Sequence, residues 1–252
     1  MKFSNLILFI MISKIFLLSG CDKDDPVSPE ETIDLPTETG TVTDIDGNEY
    51  KTVKLGNQWW MAENLKVTRY NDGTDIDYPV NNQEWMDKTT GAYSWYNHDY
   101  DTYGSVYGAL YNWHAIETGK LCPEGWFVPS HSNWIELTEY LGGYEVAGGK
   151  LKSTRTEPDP HPRWDSPNTG ATNESGFSAL PGSMRYYNGR FRYDTPIGFR
   201  GYYWTSTKID NSEYAWSRFI YSENSRIHDS THTLTWSRQR SGRSVRCIMY
   251  EY

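Results

Sequence analysis

LCPEGWFVPSHSNWIELTEYLGG, residues 121–143, carries the clearest periodic signal in the chain. Trp134, Leu137 and Leu141 fall three and four apart, the spacing that aligns side chains on one face of a helix. Ser130 stands where an N-cap is wanted, and Gly142-Gly143 supplies the stop. Asn133 occupies the position where Glu would complete a capping box, so the cap is expected to be weaker than it could be.

Outward from that helix the pattern changes. A shorter helix is expected over residues 146–152, and residues 153–200 hold most of the Pro and Gly with no long periodic run. They read as long ordered loops, the part of a rigid scaffold that usually carries function. YYWTST, YAWSRFIY and RSVRCIMY read as strands, and HTLTW as a further one. Upstream, Tyr93 and Trp95 suggest a short strand. From Ser105 the apolar period lengthens through Val106, Leu110 and Trp113, which predicts one helix running to Gly119. A short helix is expected near 83–86. Asp46-Gly47-Asn48 and Gly56-Asn57 separate β-branched and aromatic runs, predicting a meander with strands at 41–45, 49–55 and 58–61.

The N-terminus, MKFSNLILFIMISKIFLLSGC, has a lysine, an apolar run from Leu6 to Leu18 broken by Ser13 and Lys14, and then Leu18-Ser19-Gly20-Cys21. That run is short for a membrane span, which needs about 20 apolar residues. It fits a cleavable leader over residues 1–20. The ending resembles a bacterial lipobox, which would make Cys21 the lipidated first residue of the mature chain and anchor it to a membrane. Residues 21–40 are acidic and rich in Pro, Thr and Glu, and read as a disordered tether. The acids just after Cys21 resemble the surface-export signals of Bacteroidetes-type lipoproteins. That resemblance implies a domain on the outer membrane facing the exterior, with a plain solvated linker on a periplasm-facing lipoprotein as the alternative. The remaining residues, 41–252, suffice for one good-sized core. With 20 Tyr, 11 Trp and few aliphatics, aromatic rings must supply much of its buried area.

Formal charge is −9, and losing Lys2 and Lys14 with the leader makes the mature chain −11. Residues 185–246 run the other way, with ten Arg and one Lys against five acids. That excess either faces a ligand or complements the acidic remainder within one fold. The overall acidity argues against nucleic acid as a partner. Setting Cys21 aside leaves Cys122 and Cys247, and an even pair in an oxidising compartment predicts a disulfide.

Several motifs occur here in one order: residues 42–73 (VTDIDGNEYKTVKLGNQWWMAENLKVTRYNDG), 107–115 (YGALYNWHA), 119–130 (GKLCPEGWFVPS), 166–182 (SPNTGATNESGFSALPG) and 244–248 (SVRCI). Together they resemble the Fibrobacter succinogenes major paralogous domain, a family of secreted and lipoprotein modules. More distantly, residues 125–141 followed by the terminal SVRC are similar to formylglycine-generating-enzyme-type domains. That likeness implies an α+β, C-type-lectin-like fold: a twisted, mainly antiparallel sheet, two main helices, paired terminal strands and long ordered loops. Fold alone does not give function.

Three chemistries follow. The first is a binding or adhesion module for an extracellular polymer such as a glycan, with aromatic side chains stacking on sugar rings. Its candidates are Tyr202, Trp204, Tyr214, Trp216, Tyr221 and Trp236, and foremost Trp204, Trp216 and Trp236. Most aromatics in strands of such a domain are nonetheless expected to be core. The second is an oxidative enzyme of the formylglycine-generating type, which would need reactive thiols or clustered histidines. Cys122 and Cys247 are committed elsewhere, and no zincin-type pattern surrounds His228 and His232. The third is a structural Ca²⁺ in the loop NTGATNESGF, with Asn168, Asn173 and Glu174 as hard oxygen ligands. The competing reading gives those residues to tight turns. A purely structural cell-surface protein is the remaining alternative.

Overall fold

The computed structural model describes residues 38–194, 196–229 and 237–250. The predicted leader, Cys21, the HTLTW strand and Trp236 lie outside them. The architecture is mixed α and β, with antiparallel sheets and few helices.

The predicted meander is present, as β1 (Thr39–Thr43), β2 (Glu49–Leu55) and β3 (Gln58–Met61). β1 starts and ends two residues earlier than expected. Asp44 leaves the strand because its carboxylate closes the turn, accepting from the Asp46 and Asn48 backbone N–H groups and the Tyr50 hydroxyl. Gly56, at φ +61°, makes the tight β2–β3 turn. The C-terminal strand, β9 in chain order (Ile248–Tyr250), joins beside β3, so both ends of the domain share one four-stranded sheet.

Helix α1 (Asn82–Asp87) is followed by β4 (Tyr93–Ser94). The single helix predicted from Ser105 to Gly119 does not form. A π turn (Tyr100–Gly104) and α2 (Ser105–Tyr107) end at Gly108, then come β5 (Leu110–Tyr111) and α3 (Trp113–Glu117). Gly108 sits at φ +77°, and a Cβ there would lie 2.7 Å from Asn64 Cβ and 2.8 Å from the Leu65 carbonyl. The residue is shaped by a distant strand exit, which local periodicity cannot see. Asn112 then restarts the helix, its side chain accepting from the Ala115 and Ala92 N–H groups.

α4 (His131–Tyr140) is the long helix, and the capping box is complete. Asn133 accepts from the Ser130 N–H at 2.8 Å while Ser130 Oγ accepts from the Asn133 N–H, so the shorter amide does the work expected of Glu. α5 (Ala147–Leu151) follows. The second main helix expected from the motif likeness is absent among the described residues, as is a single continuous sheet. The pairing is divided among the four-stranded sheet, the β4–β5 pair, and a three-stranded antiparallel sheet of β6 (Arg200–Lys208), β7 (Ala215–Tyr221) and β8 (Ile227–Asp229).

The disulfide joins Cys122 to Cys247 with Cα atoms 6.0 Å apart, inside the bridging range. It fastens the approach to α4 against β9, where Phe127 and Ile248 also exchange backbone hydrogen bonds. The core is aromatic, as composition demands. Trp60 meets Trp134 edge-on at 4.8 Å, and Phe177 and Tyr203 complete the group.

Some of the C-terminal arginines pair with acids, as Arg226 does with Glu145 and Arg238 with Glu213, while others lie inside the fold. Arg185, Arg218, Arg243 and Arg246 are all fully buried. Arg246 donates to Asn64 Oδ1 and to the carbonyls of Met61, Phe177 and Ser178, and stacks on Phe177. Arg185 donates to the carbonyls of Gly189, Pro79, Val80 and Asn81, between the rings of Trp85 and Phe191. Both cations cross-link loops from inside, in place of pairing with the acidic surface.

Candidate functional site

The three-stranded sheet carries Tyr202, Trp204, Trp216 and Tyr221 of the predicted stacking residues, and alternation decides their fates. Trp204 is completely buried and its indole N–H donates to the Tyr111 carbonyl at 2.8 Å. It is core, so it is no platform for a sugar. Tyr202 is also buried. Trp216 is half-buried, with its ring against that of His131 at 4.0 Å, and Tyr214 and Tyr221 are half-buried as well.

Trp216, Arg218 and Ile220 point to the same face of β7. Across the ladders Arg218 faces Tyr203 on one side and Asp229 on the other. Towards Ile220 this face packs beneath α4 with Trp134, Ile227 and Tyr203. Towards Trp216 it reaches the rim, where the first residue of α4, His131, leans on the indole. Arg218 lies at the transition. Its side chain is fully buried, its nearest carboxylate is Asp229 at 4.0 Å, and Nε, Nη1 and Nη2 all lack a hydrogen-bond acceptor. Burial pulls its pKa down, with Tyr144 and Asp229 opposing. His131 Nδ1 also lacks a partner. Burial and the neighbouring Arg218 lower the His131 pKa, which favours the neutral ring at pH 7. The arrangement therefore sets a partly exposed aromatic face beside a set of unused donors and a carboxylate.

The loop expected to hold Ca²⁺ is organised differently. Asn173 exchanges hydrogen bonds with Ser178, Glu174 pairs with Lys150 at 3.0 Å, and Asn168 donates to the Ser153 carbonyl. Asn168 and Asn173 both sit at positive φ, serving turns. The buried cation in this region is Lys152. Its buried ammonium lies within 2.8–3.5 Å of the carbonyls of Thr169, Tyr221, Ser222 and Asn224. Among the described residues no group of three His, Cys, Asp or Glu side chains could hold a metal ion. Loop residues Ser153, Arg155, Asn173 and Ser178 also line one side of an open cleft of about 1120 Å³, with β1 and β2 opposite.

Sequence reasoning missed Arg218 and Lys152. The available signal was an arginine inside the aromatic run YAWSRFIY, where a solvated charge would be out of place.

A family model described as the Fibrobacter succinogenes major domain matches residues 53–249. No curated protein and no solved structure matches the chain.

Proposed function

The chain belongs to the Fibrobacter succinogenes major domain family, and on that footing we propose that it is a lipid-anchored, outward-facing binding module for an extracellular polymer, most readily a glycan. The observation that carries this reading is the rim of β7: a half-exposed Trp216 against the tilted ring of His131, beside the unused donors of Arg218 and the Asp229 carboxylate. An aromatic platform flanked by a few fixed polar groups suits a sugar ring, whose faces are apolar and whose edges are hydroxyls. The C-type-lectin-like scaffold belongs to the same proposal. It is supported by the antiparallel pairing, the disulfide to the terminal strand and the loops of 153–200. Anchoring through Cys21 rests on the lipobox alone; no helix among the described residues is long and apolar enough to cross a membrane. Binding is favoured over oxidative catalysis because Cys122 and Cys247 are joined in a disulfide and offer no thiol.

A glycan array probed with the purified protein, with and without EDTA, tests the reading. Trp216→Ala should weaken any binding by about 1 kcal/mol, roughly fivefold, with the fold retained. Unchanged binding in that variant would move the site to the loop cleft. EDTA-sensitive binding would return Asn168, Asn173 and Glu174 to the argument. Turnover of a substrate that depends on a His or Cys would sink the binding-module reading.

A further inference from the structure

Arg243 differs from the arginines that cross-link the loops. Like Arg185 and Arg246 it is fully buried, and it lies 4.5 Å from the Trp204 ring and 5.5 Å from that of Tyr202. Those two each reach several oxygen acceptors. Arg243 has one: Nη1 donates to Ser217 Oγ, while Nε and Nη2 have no partner. Nε and Nη2 share one edge of the guanidinium, the planar fork that matches the two oxygens of a carboxylate.

The surroundings are cationic. Arg192 Nη1 and Arg200 Nη1 both donate to the Tyr202 hydroxyl, at 2.7 and 3.3 Å. The phenol oxygen thus accepts from two guanidiniums at once. Asp194 is bonded to Arg192 at 2.9 Å and is largely exposed, and Glu223 acts on Tyr221 at the outer end of the group. Among the described residues no carboxylate acts on Arg243; burial holds its pKa down to about 9, Tyr202 opposing and Arg192 reinforcing the shift. A buried cation with an empty hydrogen-bonding edge is costly unless something fills it. Arg200 and Tyr221 are half-buried and stacked at 4.2 Å, and carry the cluster outward to the surface.

We propose that the Nε–Nη2 edge of Arg243, with Arg192, Arg200 and the Tyr202 hydroxyl, receives a ligand carboxylate, and that its source is a uronic-acid unit of an acidic polysaccharide. The identification of the source rests on the polymer-binding reading above; the carboxylate site itself does not. It lies on the opposite face of the β6–β8 sheet from Trp216 and uses none of the same side chains.

Calorimetric titration of the purified protein with oligogalacturonate, its neutral methyl ester and sodium acetate tests this. The acid should bind, the ester should bind at least about tenfold more weakly, and Arg200→Met should weaken the acid about tenfold, the size of one charge-assisted hydrogen bond. Arg243→Met should abolish binding; if that variant does not fold, Arg200→Met and Tyr202→Phe decide. Equal binding of acid and ester, or an unchanged affinity in Arg200→Met, overturns the site. Acetate binding as tightly as the oligomer, with the same loss in Arg200→Met, keeps the carboxylate site and overturns the polysaccharide source. Neutral glycans binding in a Trp216-dependent way while oligogalacturonate fails would leave the module reading standing and remove this one.

Discussion

Replacing Lys152 by Met tests whether an ammonium, in the place where a metal was expected, holds the long loops to the three-stranded sheet. The substitution keeps the length of the stem and deletes the charge. Of the four carbonyls around Nζ, Ser222 O also accepts from the Thr169 N–H, so at most three would be orphaned: Thr169, Tyr221 and Asn224. An unsatisfied buried group costs about 1–3 kcal/mol, giving a mid-range loss of about 6 kcal/mol for three. Against this stands the relief of a desolvated cation. Burial lowers the Lys152 pKa from 10.5 to about 8, worth about 3 kcal/mol at 1.36 kcal/mol per unit. The net expectation is a destabilisation of about 3 kcal/mol. Urea unfolding with the disulfide intact measures it, and the m-value should not change. A loss below about 1 kcal/mol, or a gain, would refute the reasoning, because water could then replace the ammonium at little cost.

Removing the bridge with Cys122→Ala and Cys247→Ala should cost up to about 5 kcal/mol by chain entropy over its sequence separation of 125, read as a lower urea midpoint; an unchanged midpoint would show that the strand pairing of Phe127 with Ile248 suffices. His98, His114, His131, His161 and His228 all have folded-state pKa values lowered from 6.5, burial being the largest cause in each. The unfolded chain therefore binds more protons just below pH 6.5, and stability should fall as pH drops through that region towards the folded values. Thermal melts between pH 7.5 and pH 5 that show no decline (about the range where histidine titrates) would contradict this. Cys21→Ser should release the protein from the membrane fraction, and an unmodified Cys21 in the wild type, seen by mass spectrometry, would remove the anchor from the proposal.

What was legible in the sequence was local. Ser130, Asn133 and Gly142 lie within a few residues of the helix they bound, and the Gly56-Asn57 turn fixes its own hairpin. Counting cysteines sufficed for the disulfide because only one pairing remained. The helix expected from Ser105 to Gly119 failed for the opposite reason. Its breaker is a glycine whose conformation is set by Asn64 and Leu65, more than 40 residues away in the chain. Trp204 and Trp216 could not be told apart either. They sit in neighbouring strands with similar residues on both sides, and a sheet covered on both faces gives no polar alternation to mark the rim.

The arginines show where such reading must stop and contact chemistry take over. In sequence, Arg185, Arg218, Arg243 and Arg246 are four charges in a basic stretch; in the fold all four are buried. Their burial is decided by partners as far off as Met61 for Arg246 and Pro79 for Arg185. What separates them is the number of acceptors each guanidinium reaches. Arg185 and Arg246 each reach four oxygens from different segments, which is the work of a cross-link. Arg243 reaches one and Arg218 none within hydrogen-bonding distance. The two flank the same strand: Arg218 follows Ser217 in β7, and Ser217 is the residue that Arg243 touches from the other face. Both under-partnered guanidiniums thus lie against one β-strand, β7, on its two faces. That placement ties the energetic cost of burying these cations to the part of the fold where a ligand could offset it.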